Sequence, residues 1–102
     1  MDDIFAHVDD HLNDAIAQLT ELCKLPSVSA QAQAIDETAE YVEGILKELG
    51  FEAKIMTKPA GDGNGVSKAQ PVVYAELKGE SPKTLMFYDH YDVQPAEPLD
   101  LW

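Results

Sequence analysis

Apolar residues recur at steps of three and four positions in the first quarter of the chain. This spacing predicts a long amphipathic helix, which should stop before Pro26 because the residue preceding a proline disfavours the helical conformation. The predicted buried stripe consists of Ile4, Phe5, Val8, Leu12, Ala15, Ile16, Leu19, Leu22 and Cys23. Cys23 lies on this stripe, so we expect it to act as a small buried hydrophobe and not as a nucleophile.

A second amphipathic helix follows the polar stretch 26–33. Its predicted buried stripe consists of Ile35, Val42, Ile45, Leu46 and Leu49. Gly50 stands where a helix commonly ends in a left-handed residue. The acidic side chains of Glu37, Glu40 and Glu43 fall on the opposite side, and we interpret them as a solvated face.

The pattern then changes to that of β-strands. Phe51, Ala53 and Ile55 alternate with polar residues and predict a half-buried strand. Residues 72–77 predict a second strand with little alternation. Residues 84–88 predict a third, which is apolar on both faces and therefore expected in a sheet interior covered by helices on both sides. The short link 79–83 favours a hairpin between the last two strands, although a strand from further along a longer chain could lie between them.

The predicted order is therefore α-α-β-β-β. This order is typical of the first portion of an α/β domain with three layers, α/β/α, around a mixed sheet. The connection 58–65 has glycines that resemble a phosphate-binding loop, but it lacks the Gly-Lys-Ser/Thr ending and a following helix, so we interpret it as a loop.

Charge and composition narrow the classes of function. The chain has 102 residues, a net charge of -12 and seven basic residues, all of them lysine. This balance argues against binding to nucleic acid or to an anionic membrane surface. One cysteine excludes an intrachain disulfide, and the acidic start of the chain does not resemble a secretory signal, so the expected location is the cytoplasm.

Two groups of residues that contain histidine could contribute metal ligands. His7 and His11 are spaced i, i+4 on the first helix, but no Glu follows His7 as a zinc-protease helix requires, and we assign both to the solvated face. His90 and Asp92 follow the last predicted strand. In extended backbone their side chains share a face, so Asp92 could hold the imidazole of His90 in the orientation of a metal ligand. A His-x-Asp tripeptide taken alone is common and often makes an ordinary hydrogen bond.

The sequence around His90 gives this pair more weight. The run Tyr88-Asp89-His90-Tyr91-Asp92-Val93-Gln94-Pro95, with Leu101-Trp102 beyond it, resembles the first metal-ligand motif of the co-catalytic di-zinc metallopeptidases. That family includes carnosine dipeptidases, aminoacylases, glutamate carboxypeptidases and succinyl-diaminopimelate desuccinylases. The residues of the motif are most similar to those of the dipeptidase-like branch. The resemblance extends to Leu25-Pro26-Ser27-Val28-Ser29, to Leu49-Gly50-Phe51 and to residues 71–76. Asp89 is a departure, because family members more often carry glycine there, and it is either a partner of the site or a solvent-facing residue.

The resemblance implies a zinc-dependent hydrolase with two zinc ions. His90 would be a metal ligand, and Asp92 would be the catalytic-site carboxylate that orients it. Residues 1–102 would form the N-terminal part of the catalytic domain, with the other ligands and the general base beyond position 102. The implied substrates are small peptides or N-acyl amino acids, hydrolysed by metal-activated water, and the resemblance leaves a homodimer open for the complete protein. The chain alone is expected to be inactive.

Two alternatives to an active hydrolase remain open. The parent could be a non-catalytic binding or scaffold protein that retains the first metal motif, or the chain could be a truncation product with no activity of its own.

Overall fold

The computed structural model of the chain describes residues 1–57 and 70–101. Within these ranges the chain forms α1 (Asp2–Asp10), α2 (Leu12–Cys23), α3 (Ile35–Glu48), β1 (Glu52–Met56) and β2 (Val72–Glu76). Short 3₁₀ helices are found at Ser29–Gln31 and Leu99–Leu101. The predicted loop 58–65 lies outside the described residues, as does Trp102.

The predicted first helix is divided in two, so the prediction of one continuous helix was wrong. His11 separates α1 from α2 with φ -106° and ψ 7°, which lies outside the range of α-helical backbone. Hydrogen bonding continues across it, because the N–H of His11 donates to the carbonyl of His7 and the carbonyl of His11 accepts from the N–H of Ala15. Nδ1 of His11 lies 2.8 Å from the same His7 carbonyl.

The apolar stripe of α1 and α2 is not buried by the described residues. Its large side chains are between 51% and 60% exposed at Ile4, Phe5, Val8, Leu12, Ile16 and Leu19. Cys23 is exposed as well, so its predicted burial was wrong. Amphipathic periodicity identified these helices, but burial also requires a surface for the stripe to pack against. No described helix is both long enough and apolar enough to cross a membrane.

The second predicted helix is confirmed as α3, together with its end. Its predicted buried stripe was wrong in part: Ile35 is buried, but Val42, Ile45 and Leu46 are half-buried and Leu49 is 64% exposed, because the described residues do not cover the C-terminal end of the helix. Gly50 has φ +90°, and its N–H donates to the carbonyl of Lys47 while the N–H of Phe51 donates to that of Leu46. These two bonds form the Schellman motif that glycine favours at a helix end. The acidic side chains behave as a mostly solvated face, with Glu43 forming an ion pair of 2.9 Å with Lys47.

Within residues 1–57 and 70–101, the sheet has two antiparallel strands. Lys54 pairs with Tyr74 and Ile55 with Val73, and the half-buried residues alternate with exposed ones along both strands. The alternation predicted for β1 is confirmed, whereas β2 alternates more than its sequence suggested. Because α3 contacts both strands, it packs against the sheet and leads the chain directly into β1.

The third predicted strand is not observed. Residues 84–88 have no strand conformation, and the side chains from Leu85 to Tyr88 are between 78% and 92% exposed. The predictions of a buried strand and of a hairpin across 79–83 were therefore wrong, because apolar composition cannot form a strand without a partner backbone. The observed order is α-α-α-β-β. Helices and strands occur together as an α/β class requires, the observed sheet is antiparallel and not mixed, and the three-layer arrangement stays a prediction.

Most buried residues of the described chain fall between positions 27 and 39. Val28, Ile35 and Ala39 are buried apolar residues, Ser27 and Thr38 are buried polar ones, and Pro71 is buried just before β2. The radius of gyration is 17.2 Å, whereas a compact domain of this length has about 13 Å. The core therefore lies where residues 27 and 28 precede α3, and large parts of the chain extend away from it.

Candidate functional site: the His90–Asp92 pair

The segment that carries the histidine motif is attached to the core through residues 27–29. Val28 and Val93 form an isolated parallel β-bridge, and the N–H of Val93 donates to the carbonyl of Ser27 over 2.9 Å. The hydroxyl of Ser27 donates to the carbonyl of Tyr91, also over 2.9 Å. Residues 91–93 are thus held by backbone and side-chain bonds from a segment more than sixty positions earlier.

Tyr91 makes a second attachment. Its hydroxyl donates to the carbonyl of Pro71, just before β2. Partial burial raises the pKa of the Tyr91 phenol, and the negative charges of Asp36 and Asp92 raise it further. Tyr91 therefore stays protonated and remains a hydrogen-bond donor throughout the neutral range.

The structure brings the side chains of His90 and Asp92 together. Nδ1 of His90 lies 3.0 Å from Oδ1 of Asp92 and 3.0 Å from the Asp92 carbonyl oxygen. Both oxygens can only accept, so Nδ1 must carry the proton that it shares with them. In the neutral ring this makes Nε2 the nitrogen with the free lone pair. No hydrogen bond from residues 1–57 or 70–101 is found at Nε2, and the His90 side chain is 76% exposed.

Ser29 was missed by sequence reasoning about the site. Its hydroxyl donates to Oδ2 of Asp92 over 2.5 Å. This hydrogen bond is the main cause that lowers the pKa of the Asp92 carboxyl, with a smaller lowering contribution from His90 and an opposing contribution from desolvation. Asp92 is therefore ionised at neutral pH. The signal was present in the segment Leu25-Pro26-Ser27-Val28-Ser29, which shares the family resemblance but carries no obvious metal ligand.

Asp89 lies beside the pair without joining it. Its Oδ1 accepts from the backbone N–H of His90 over 2.8 Å, and the residue is exposed. The carboxylate of Asp89 therefore bonds to the backbone N–H of His90, at the first residue of the His-x-Asp motif.

The other candidate histidines are exposed as predicted. The rings of His7 and His11 lie 4.0 Å apart between centroids on neighbouring turns of the N-terminal helices. Within the described parts of the chain, no group of three or more His, Cys, Asp or Glu side chains is placed to hold a metal ion. His90 and Asp92 thus form a pair and not a complete site, and their predicted roles as ligand and orienting carboxylate remain predictions.

Comparison with known proteins gives several relatives of one kind. The chain is 30% identical over its whole length to a Cys-Gly metallodipeptidase of Schizosaccharomyces pombe, of which it spans 22%. It is 34% identical over 85% of its length to a Cys-Gly metallodipeptidase of Candida albicans, of which it spans 20%. It is also 29% identical over its whole length to the human Beta-Ala-His dipeptidase, of which it spans 22%.

The matched relatives are thus several times longer than this chain. No protein-family model and no solved structure matches it. The relatives are dipeptidases, two of the three named as metalloenzymes, and their similarity supports the dipeptidase-like relationship predicted from the histidine motif.

Proposed function

We propose that this chain is part of the catalytic domain of a zinc-dependent hydrolase that cleaves an amide bond in dipeptides or N-acyl amino acids. In this proposal His90 is a metal ligand, and Asp92 is the carboxylate that orients it. The observation that carries the proposal is the hydrogen bond from Nδ1 of His90 to Oδ1 of Asp92. Metal-bound histidines usually donate their second ring N–H to a carboxylate or a carbonyl, and Nδ1 of His90 has both as partners.

The residues present fit one ligand position. Neutral imidazole is a common zinc ligand, and the proton on Nδ1 leaves Nε2 as the nitrogen that can bind. The carboxylate of Asp92 cannot turn freely toward a metal, because Ser29 holds its second oxygen. A complete site requires three or four protein ligands, so the remaining ones must come from elsewhere in the parent protein.

The chemistry of the parent follows from the metal it would bind. A pair of zinc ions, if bound in the parent protein, would supply metal-activated water near neutral pH and would polarise the amide carbonyl. The residues of this chain would do three things: His90 binds through Nε2, Asp92 fixes the ring and its tautomer, and the hydroxyl of Ser29 holds Asp92.

The proposed substrates follow from the relatives and from the charge of the chain. The names of the relatives specify Cys-Gly and Beta-Ala-His dipeptides. Both are small and carry a free carboxylate, and the pocket for that group would lie outside the described residues. The net charge of -12 argues against nucleic acid as a partner.

The test uses the complete protein encoded by the reading frame that contains these 102 residues. We expect it to hydrolyse Cys-Gly, Beta-Ala-His or an N-acetyl amino acid in the presence of zinc, and to lose activity with a chelator. His90→Ala should abolish hydrolysis by removing a ligand. Asp92→Asn should lower zinc affinity or activity by about 10- to 100-fold, the usual effect of losing such a partner.

A matched control is available on the first helices. His7→Ala removes an exposed histidine of the same chain and should leave hydrolysis unchanged. A folded parent that binds no zinc and cleaves none of the three substrate classes would contradict the proposal and favour a non-catalytic protein. The 102-residue chain by itself is expected to be inactive in the same assays.

A further inference from the structure

One carboxylate joins Ser29 to His90. Oδ2 of Asp92 accepts from the hydroxyl of Ser29 over 2.5 Å, while Oδ1 lies 3.0 Å from Nδ1 of His90. Each oxygen of the carboxylate therefore has a different partner. A rotation that takes Oδ1 away from the ring also breaks the bond to Ser29, so the serine restricts the orientation that the histidine depends on.

The backbone around Ser29 is held independently of its side chain. The N–H of Val93 donates to the carbonyl of Ser27, and the hydroxyl of Ser27 donates to the carbonyl of Tyr91. Neither bond involves Ser29. Its hydroxyl can therefore be removed while residues 27–29 and 91–93 stay attached to each other.

We propose that Ser29 is a positioning residue of the metal motif, which acts through Asp92 to keep His90 in the tautomer that presents Nε2 to a metal. The inference rests on the proposed function, since positioning has a purpose only if His90 is a ligand. Ser29 itself needs no contact with metal or substrate in this role. It selects among the orientations of Asp92.

The expected effect is that of one net hydrogen bond. Without the Ser29 hydroxyl, Asp92 can turn toward water, because its side chain is 40% exposed. The carbonyl of Asp92 still accepts from Nδ1, so the preference for the Nδ1–H tautomer is reduced and not lost. We expect the ratio of Nδ1–H to Nε2–H in His90 to fall roughly three- to tenfold, the size of one net hydrogen bond.

The test measures ring ¹⁵N chemical shifts of His90 in the metal-free chain, at one pH where the ring is neutral. The spectrum of His90→Ala identifies its signals among those of His7 and His11. Ser29→Ala should lower the Nδ1–H population, whereas Ser29→Thr keeps the hydroxyl and should restore it. Ser27→Ala is the matched control, because it removes the other serine hydroxyl bonded to the motif segment without touching Asp92. It should leave the tautomer ratio as in the wild type.

A double-mutant comparison asks whether Ser29 acts through the carboxylate. In the Asp92→Ala background, which removes both side-chain oxygens, Ser29→Ala should produce no further change in the His90 ring shifts. An equal change with and without the Asp92 carboxylate would mean that Ser29 acts by another route, and would overturn the proposal.

Three further outcomes would overturn it: wild-type ring shifts in Ser29→Ala, equal changes in Ser29→Ala and Ser27→Ala, or loss of the folded Val93 amide signal in Ser29→Ala. The last would show that the backbone is not held independently of the Ser29 side chain.

The result of this experiment is separable from the proposed function because no metal or activity is involved. An inactive parent with the expected tautomer changes would reject the hydrolase and leave the Ser29–Asp92–His90 chain intact. If the parent is active but the tautomer ratio of His90 does not change in Ser29→Ala, only the positioning role is rejected.

Discussion

Residues 91–93 and residues 85–88 are close neighbours in sequence and have opposite surroundings. Three hydrogen bonds join the first segment to residues 27–29. The N–H of Val93 donates to the carbonyl of Ser27, and the hydroxyls of Ser27 and Ser29 donate to the segment in return. The second contains four large apolar side chains that are 78% to 92% exposed. The polar motif is thus the more firmly attached of the two, because its attachments are specific hydrogen bonds within the described chain. The apolar segment has a composition that favours burial and no described surface to bury against.

The largest expected difference between buried and exposed apolar residues is in stability. Ile35 is 4% exposed, so Ile35→Ala should lower the free energy of unfolding by about 2 to 5 kcal/mol, through lost burial and a residual cavity. Phe87 is 87% exposed, so Phe87→Ala should change it by less than about 0.5 kcal/mol. Urea unfolding followed by circular dichroism measures both. A large loss of unfolding free energy in Phe87→Ala would mean that residues 85–88 are buried in a core, and would contradict the difference described between buried and exposed apolar residues.

The next effect is on self-association. Exposed apolar segments associate readily, and the repulsion from a net charge of -12 is screened beyond roughly 10 Å at 0.1 M salt. We expect the isolated chain to form oligomers or aggregates that increase with salt, as measured by light scattering. Phe87→Gln should reduce them.

Phe5→Gln is the matched control for that experiment, since Phe5 is an exposed aromatic residue on α1. If residues 85–88 drive association, Phe5→Gln should have the smaller effect. A chain that stays monomeric with a sharp thermal transition at low and moderate salt would show that residues 85–88 do not cause self-association.

The smallest expected effect is the pH dependence of the Asp92 contribution. The folded-state pKa of Asp92 lies below the ordinary value of about 3.9, chiefly because Ser29 donates to the carboxylate. A lowered carboxyl pKa contributes stability that is present above the ordinary value and is lost as pH falls through the folded value. The difference in unfolding free energy between wild type and Asp92→Asn should therefore shrink as the pH is lowered below about 4. A difference that grows toward low pH would contradict the hydrogen bonds assigned to this carboxylate.

Sequence patterns predicted the local features of this molecule and missed those that depend on distant partners. The end of α3 at Gly50, the half-buried β1 and the proximity of His90 and Asp92 all follow from interactions within a few residues. The exposure of the α1–α2 stripe does not, because periodicity reports which face is apolar and not whether anything covers it.

Ser29 and residues 84–88 illustrate the same limit in opposite directions. The contact between Ser29 and Asp92 spans 63 positions, and no local pattern could pair them. Residues 84–88 have the composition of a central strand, but strand formation requires a neighbouring backbone that composition does not provide.

The central claim is that residues 27–29 hold the histidine motif in place while the apolar segment before it is unattached. Amide hydrogen exchange measured residue by residue in the isolated chain tests this directly. The N–H of Val93 donates to the carbonyl of Ser27, so it should exchange at least about tenfold more slowly than the amides of residues 85–88. Equal exchange at Val93 and at residues 85–88, or stronger protection of residues 85–88, would contradict the account.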